Sequence, residues 1–318
     1  MSKEQINSSA LITEELAGQR LDQAVSKLMP EHSRARIQSW IKQGEITLNG
    51  EVCKQKDIVK TGDEILFCIK LQTLAEIEPE DIPLTIIHQD KSLVVINKPA
   101  GLVVHPGAGN PNQTLQNALL HFDINLRLIP RAGIIHRLDK DTTGLMLIAR
   151  TPTAHTFLVE QLQLRNIKRE YLALVCGKIT AGGTIDTHFG RHPTRRTQMA
   201  VTRNGKRAIT HYRVHTRYKH YTLLNVMLDT GRTHQIRVHM AYLKYPIVGD
   251  KEYGKHQSIE KGIDENLKQT ISAFSRQALH AHQLTLPHPD TKEIMTVQAN
   301  TPDDMQTMIT QLDTYDAK

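Results

Sequence analysis

Cysteine is scarce in this 318-residue sequence: Cys53, Cys68 and Cys176 are the only three, and they stand far apart. Their odd number and the lack of any Cys-x-x-Cys pair exclude a zinc ribbon and a disulfide framework, and leave them as small apolar residues expected inside the fold. Aromatic residues make up 4% of the chain, too few for a broad platform on which single-stranded bases could stack. No apolar run approaches the length of a membrane-spanning helix, and residues 1–10 are polar where a signal peptide carries an apolar stretch. No membrane partner is therefore expected, and the compartment is read as cytoplasmic and reducing. Gly107-Ala108-Gly109 lacks the following Gly-Lys-Ser/Thr of a phosphate loop, and His234 and His239 are five apart rather than the four of a helical metal pair. Neither a metal nor a cofactor is expected.

What the chain has in excess is positive charge. Lys and Arg total 40 against 33 acidic residues, for a net charge of +7. Such a surplus favours polyanionic partners, because bound cations release condensed counterions, though charge alone does not choose among RNA, DNA and a membrane surface. An apolar fraction of 39% is ordinary for a globular protein. The length suffices for a sizeable core and about two domains.

Residues 1–14 read as a loose, flexible start. Leu21, Ala24, Val25 and Leu28 then follow helical spacing up to Pro30. Ser33 suits the cap of a second helix carrying Ala35, Ile37, Trp40 and Ile41, displaying Arg34, Arg36 and Lys42, and stopping at Gly44. Alternating residues on either side of Asn49-Gly50 predict a hairpin, since both turn positions need positive φ. Gly62-Asp63 marks another turn before Glu64–Ile69. Residues 71–84, with Glu76, Glu78, Glu80 and Asp81 among Pro79 and Pro83, read as a linker. Beyond 85 the chain is strand-rich, with helices at 115–122, near 152–165 and at 235–243, and a surface helix within 302–312. Strands outnumber helices and few βαβ units appear, which gives a mixed α+β class. The stretch around 258–269 reads as a variable loop.

Four motifs concentrate chemistry. In Gly133–Leu145, five ionisable side chains fall within six consecutive residues, His136-Arg137-Leu138-Asp139-Lys140-Asp141, between two segments that should be interior. Charges forced toward a core are usually paired or functional. Asp141 has a local role available in the Asp141-Thr142-Thr143-Gly144 turn; Asp139 has none. In Thr230–His239, Gly231 is expected to allow a tight turn into a helix, and Arg237, flanked by Ile236 and Val238, wants a carboxylate partner. Tyr171 opens a strand of apolar alternates after Lys168-Arg169-Glu170, and suits either a core position or a ring stacked on a base. Asn97-Lys98-Pro99-Ala100-Gly101 is the fourth.

These four, in this order, resemble the RluA family of pseudouridine synthases, and the resemblance covers nearly the whole chain. The run Gly18–Asp22, Ser33–Ile37, Leu48-Asn49-Gly50 and Gly62–Ile65 resembles the S4 RNA-binding domain. The resemblance implies an S4-like domain at 15–75, a linker at 76–84 and a catalytic domain at 85–318 built on a mainly antiparallel sheet. It implies that specific uridines in RNA become pseudouridine after base flipping. Asp139 would be the catalytic carboxylate, acting either as a nucleophile on the sugar or as a base that gives a glycal. Arg237 would pair with and orient Asp139, Tyr171 would stack on the target base, and Arg137 would fill the place the base leaves. His136, Arg34 and Arg36 join the RNA-contacting set, and the acid-free stretch 191–207, above all Arg195 and Arg196, is expected to grip phosphates. Leu102–Pro111 with Arg191-His192-Pro193-Thr194 narrows the resemblance to members acting on large-subunit (23S) ribosomal RNA or its assembly intermediate; a monomer is the default expectation. Two rivals remain: a non-catalytic RNA-binding or ribosome-assembly protein of the same fold, and a nuclease or glycosidase acting on nucleic acid.

Overall fold

The computed structural model describes residues 5–29, 34–70, 77–107, 109–254 and 262–317. The chain divides into two compact units, residues 1–76 and 77–318.

The first unit sets two helices against a small antiparallel sheet. Its elements are β1 (Gln5–Leu11), α1 (Leu21–Leu28), α2 (Arg34–Gln43), β2 (Ile46–Leu48), β3 (Glu51–Val52) and β4 (Glu64–Lys70), with strand order β1-β4-β2-β3. The apolar spacing in the sequence becomes the packing: Leu21, Ala24 and Val25 of α1 meet Ile37, Trp40 and Ile41 of α2 over Ile46, Ile65, Phe67 and Ile69. Asn49 and Gly50 take φ of 53° and 83°, the two positive angles that the predicted hairpin demands. The residues read as a loose start are instead β1, paired residue for residue with β4 from Gln5↔Lys70 to Leu11↔Glu64. Ile6 and Ala10 pack on the core of this unit and Ile12 is buried, which accounts for the order. The cap read at Ser33 lies outside the described residues, as do the side chains of Ala35 and Arg36. Cys68 is exposed and Cys53 and Cys176 are half-buried, against the expectation of burial; on β4 the alternation that turns Ile65, Phe67 and Ile69 inward turns Cys68 out.

The second unit is built on a ten-stranded mixed sheet among the described residues. Its strands are β5 (Thr85–Gln89), β6 (Leu93–Lys98), β7 (Thr143–Ala149), β8 (Lys168–Cys176), β9 (Gly183–Arg191), β10 (Met199–Val201), β11 (Lys206–Arg217), β12 (Tyr221–Leu228), β13 (Leu279–Pro287) and β14 (Ile294–Gln298). The order is β10-β9-β11-β12-β8-β13-β7-β6-β5, with β14 added to β13. Each pairing is antiparallel except the short parallel contact of β13 with β7. The helices are α3 (Leu115–Phe122), α4 (Pro152–Gln163), α5 (Gln235–Tyr242), α6 (Glu265–Ala273) and α7 (Asp303–Asp316). Thr114 opens α3 through a reciprocal capping box with Asn117. The stretch read as a variable loop runs into α6, capped by Asp264. Helix α7 buries Met305, Met308, Ile309 and Leu312 in the main core rather than lying on the surface.

Residues 77–84, read as linker, are fixed to this unit. Ile77 and Leu84 pack on its core, Asn117 Nδ2 donates to the Glu78 carbonyl at 2.8 Å, and the Glu80 N–H donates to the Asn117 carbonyl at 3.1 Å. At the centre of the sheet β7 is buried along its length and β8 nearly so. The loop that enters β7 and the start of β8 therefore present side chains from a rigid floor.

Candidate active site

Three segments converge at one end of that floor: the loop 136–142 before β7, the start of β8, and the 229–237 turn into α5. They line a cleft of about 870 Å³. Asp139, Tyr171, Arg137, His136 and Arg237, far apart in the sequence, all border it.

Asp139 lies on a tight turn closed by the Thr142 N–H donating to the Asp139 carbonyl at 3.1 Å. The turn is held from two sides. Lys98, fully buried at the end of β6, donates to the carbonyls of Pro99 (2.7 Å), Leu102 (3.0 Å) and Lys140 (2.8 Å). Burial pushes its pKa down to about 8, with Asp141 and Asp139 opposing the fall. On the other side Gln277 donates to Thr142 Oγ1 at 3.0 Å, and Arg276 reaches the Asp141 carbonyl at 3.5 Å.

Arg237 Nη1 meets Asp139 Oδ2 at 3.2 Å. The partner that sequence reasoning missed is Asp250. Its Oδ2 accepts from Arg237 Nε at 2.7 Å and its Oδ1 from Nη2 at 2.9 Å, a bidentate fork. Glu252 Oε2 adds a contact to Nη2 at 3.1 Å, and the guanidinium lies 5.0 Å from the centre of the Tyr253 ring. Burial alone would lower the pKa of this arginine; the Asp250 fork, helped by Asp139 and Glu252, more than offsets it and raises the pKa above the ordinary value. Asp250 is held ionised in turn. Burial raises its pKa, but the Arg237 fork and the backbone N–H groups of Glu252 and Tyr253 bring it below the usual carboxylate range.

His234 flanks the same carboxylate. It caps α5 in the left-handed region, φ 59°. The residue that absorbs the turn is thus His234, not Gly231 as the sequence suggested; φ at Gly231 is not positive. Gly231 lies against Arg169 instead: a Cβ there would stand 2.8 Å from Nη1. Tyr253 accepts from the Met199 N–H at 3.0 Å and lies 2.8 Å from His234 Nδ1, which also stands 3.4 Å from Glu252 Oε2. His234 Nε2, on the other side of the ring, lies 3.9 Å from Asp139 Oδ1. Burial lowers the pKa of His234, with Asp139 opposing, so the ring stands neutral beside the carboxylate.

Tyr171 is buried in the cleft wall with its hydroxyl pKa raised, first by burial and then by Asp139, while Arg169 opposes. It is a neutral phenol at any physiological pH. His136, grouped by sequence with the RNA-contacting residues, is largely occupied by the fold. It is buried, and its Nε2 accepts from the Leu147 N–H of β7 at 3.2 Å. Burial, and then the charge of Arg169, push its pKa down to about 3. Arg137, by contrast, is exposed at the cleft.

The RNA-contact residues named elsewhere are dispersed. Arg195 and Arg196 are exposed on the loop between β9 and β10, apart from the residues that line the cleft. In the first unit, Arg34 directs Nε and Nη2 to buried Asp22 Oδ2 at 3.1 and 2.9 Å, beside Arg20 and Gln38. Arg36 cannot be placed, its side chain being outside the described residues.

Charge in the cleft is lopsided. Arg131, Arg137, Arg165, Arg169, Arg232 and Arg237 border it, against Asp139 and Asp229. Asp229 is engaged with Arg165 at 3.5 Å and His211 at 3.2 Å. The arrangement suits one ionised carboxylate acting on a ligand that brings several negative charges. Among the described residues, no three His, Cys, Asp or Glu side chains are grouped to hold a metal ion, and no helix is long and apolar enough to cross a membrane.

A family model described as RNA pseudouridylate synthase matches residues 92–242, and one described as S4 domain matches residues 19–65. Ribosomal large subunit pseudouridine synthase D of Xanthomonas campestris pv. campestris is 47% identical over 314 residues, covering 98% of this chain and 95% of its own. The protein of that name from Escherichia coli strain K12 is 48% identical over 307 residues, 96% of this chain and 94% of its own. Among solved structures, human RNA pseudouridylate synthase domain containing 4 superposes with a TM-score of 0.57 at 26% identity, over 72% of this chain and 93% of its own. Human RNA pseudouridylate synthase domain containing 1 gives 0.53 at 26% identity, over 70% and 85%.

Proposed function

The chain belongs to the RNA pseudouridylate synthase family, and from that premise we propose that it acts on uridines of large-subunit ribosomal RNA with Asp139 as the reacting carboxylate. The reaction is an isomerisation. The N1–C1′ bond of uridine breaks, the base turns within the site, a C5–C1′ bond forms, and the proton on C5 leaves while N1 takes one up. Atoms balance without an external reactant.

The observation that carries the reading is the Arg237–Asp139 contact at 3.2 Å, inside a cleft bordered by five further arginines. A guanidinium anchored by Asp250 fixes the carboxylate in space. Both routes open to it need that. In one, Asp139 attacks C1′ as N1 departs and is displaced by C5. In the other it removes the C2′ proton to give a glycal, and returns it once C5 has bonded. Tyr171, a neutral aromatic in the wall, offers a face to the base. The uridine must leave its stack to reach this depth, at a cost of a few kcal/mol that is least in loops. Arg137, exposed at the rim, is the group suited to the vacated place. The S4 domain, with Arg34 beside Arg20, and the loop bearing Arg195 and Arg196 supply further phosphate contacts. The protein works as a cytoplasmic monomer.

Release of tritium from ribosomal RNA labelled at uridine C5 tests the reading. The wild type should release it. Asp139→Asn should release none while binding the RNA with unchanged affinity. Tritium release by Asp139→Asn at the wild-type rate, or strand scission or free uracil without release, would overturn it.

A further inference from the structure

We infer that Arg169 is a phosphate seat inside the cleft, holding one of the two backbone phosphates that flank the extruded uridine. This rests on the reading of the cleft as a uridine site. Arg169 lies on β8 two residues before Tyr171, so the two side chains leave the same face of the strand and border the same cleft. The arginine is 8% exposed. Its bonding is nearly empty. Nη2 reaches the Leu228 carbonyl at 3.5 Å, the outer limit of a hydrogen bond, and Nε is buried with no partner. Among the described residues no carboxylate stands within ion-pair range, and Asp229, nearby on the cleft wall, is engaged with Arg165 and His211.

The contrast with Arg237 decides the interpretation. That arginine is just as buried, at 6%, and three carboxylates surround it. Burying a guanidinium without a counter-charge is expensive, so a fold that keeps one facing a cleft leaves its compensation to a ligand. Gly231 packs directly against the guanidinium: a Cβ there would come within 2.8 Å of Nη1. Uracil carbonyls are neutral and would leave the charge standing; a phosphodiester is an anion with oxygens to match the planar fork. The neighbouring wall, with Arg165 and Arg232, draws the same ligand.

A cycle between protein and RNA charge tests the seat. A large-subunit stem-loop carrying a mapped target uridine is made in three forms: native, with a neutral methylphosphonate 5′ of the uridine, and with one 3′ of it. Single-turnover tritium release gives kcat/KM for the wild type, Arg169→Gln and Arg169→Lys on each, with thermal melts of all three proteins. On native RNA Arg169→Gln should lose about 30-fold or more, the usual effect of truncating one partner of a buried charge pair, and Arg169→Lys should recover part of it. On one of the neutral-linkage RNAs the wild type should itself be slow, and Arg169→Gln should cost less than about 3-fold more, since the contact is already gone. The slope of log affinity against log salt on native RNA should fall by about 0.7–0.9 in Arg169→Gln. Should that variant not fold, Arg169→Lys is read across the three RNAs in the same way. An equal loss on all three RNAs would overturn the seat, with the wild type's turnover leaving the uridine reading intact. No release by the wild type would remove that reading, and the seat with it.

Discussion

Replacing Asp250 with Asn tests whether the geometry of Asp139 is inherited from a residue that touches neither substrate nor Asp139. Asp250 is 3% exposed and accepts four bonds: Arg237 Nε at 2.7 Å, Arg237 Nη2 at 2.9 Å, and the backbone N–H groups of Glu252 at 3.0 Å and Tyr253 at 3.1 Å. Asn keeps the shape. If its oxygen stays on the two backbone donors and Nη2, its amide hydrogens must face Arg237 Nε–H, donor against donor. One charge-assisted bond is lost and the guanidinium is left to Asp139 and Glu252 alone. Breaking a buried pair costs about 3–5 kcal/mol, and the two remaining acids put this case at the low end, about 3 kcal/mol. For a unit of this size that lowers Tm by about 6–12 °C. Because Arg237 would lean toward Asp139 to recover charge, the carboxylate shifts, and a displacement near 1 Å lowers kcat about 100-fold with KM little changed. Urea melts and single-turnover tritium release, run on the same preparation, measure both effects. A variant within about 0.5 kcal/mol of the wild type, turning over at the wild-type rate, would refute the reasoning that Asp250 holds Arg237 and Arg237 holds Asp139.

Two further outcomes follow from the charges elsewhere in the second unit. Neutralising Arg195 and Arg196 together should flatten the slope of log affinity against log salt by about 1.4 if both meet phosphates of a single-stranded loop; an unchanged slope in filter binding would leave them as solvated charge. His136, neutral with its pKa pushed to about 3 against an ordinary 6.5, sets an acid limit. The unfolded chain takes up this proton first as pH falls, so stability is undiminished above pH 6.5 and falls on the way down to about 3, the loss reaching about 2 kcal/mol at pH 5. His280 and His239, buried with pKa values near 4, act in the same direction. Urea melts at pH 7.5 and pH 5 should show a smaller loss in His136→Gln than in the wild type, and equal losses would remove His136 from the account.

The parts of the fold that were legible in the sequence are those whose signal is local. Asn49-Gly50 fixes a hairpin by its own backbone demands, the apolar run 145–149 declares a buried strand, and Leu115–Phe122 declares α3 by its spacing. Strand β1 was hidden because Asn7, Ser8 and Ser9 dilute its alternation, and its order comes from pairing with β4, nearly sixty residues on. Strand β13 was hidden by His280, His282 and Gln283, polar residues in the middle of a sheet that are tied to Thr143, Ala299 and Glu170. The site divides the same way. Asp139 and Arg237 stand in dense motifs, and an arginine between apolar neighbours announces that it needs a carboxylate. That it needs three, two of them at positions 250 and 252, depends on a chain reversal with no periodic signature; the available clue was the two acids of Asp250-Lys251-Glu252, just past the apolar Ile247-Val248 and Gly249. Lys98 stood inside a recognised motif, yet its task, gripping the carbonyl of Lys140, exists only once β6 lies beside β7.

The arginines of the second unit separate by what neutralises them. Arg150, Arg207, Arg237 and Arg276 each meet a carboxylate, Asp123, Asp186, Asp250 and Asp304 respectively, and hold structure together. Arg131, Arg137, Arg169 and Arg232 border the cleft, and among the described residues none of them stands within ion-pair range of an acid. Guanidinia gathered around one opening repel each other, which costs the folded state free energy that a purely structural protein would have no cause to bear. The loop of Asp139 has an anchor outside that balance, because Lys98 holds it through neutral backbone carbonyls. The carboxylate is thus positioned before any ligand arrives, while Arg131, Arg137, Arg169 and Arg232 are left for a ligand to compensate. A polyanion entering the cleft relieves repulsion without rebuilding the reactive centre, and by linkage whatever it gains in binding it returns to the stability of the fold.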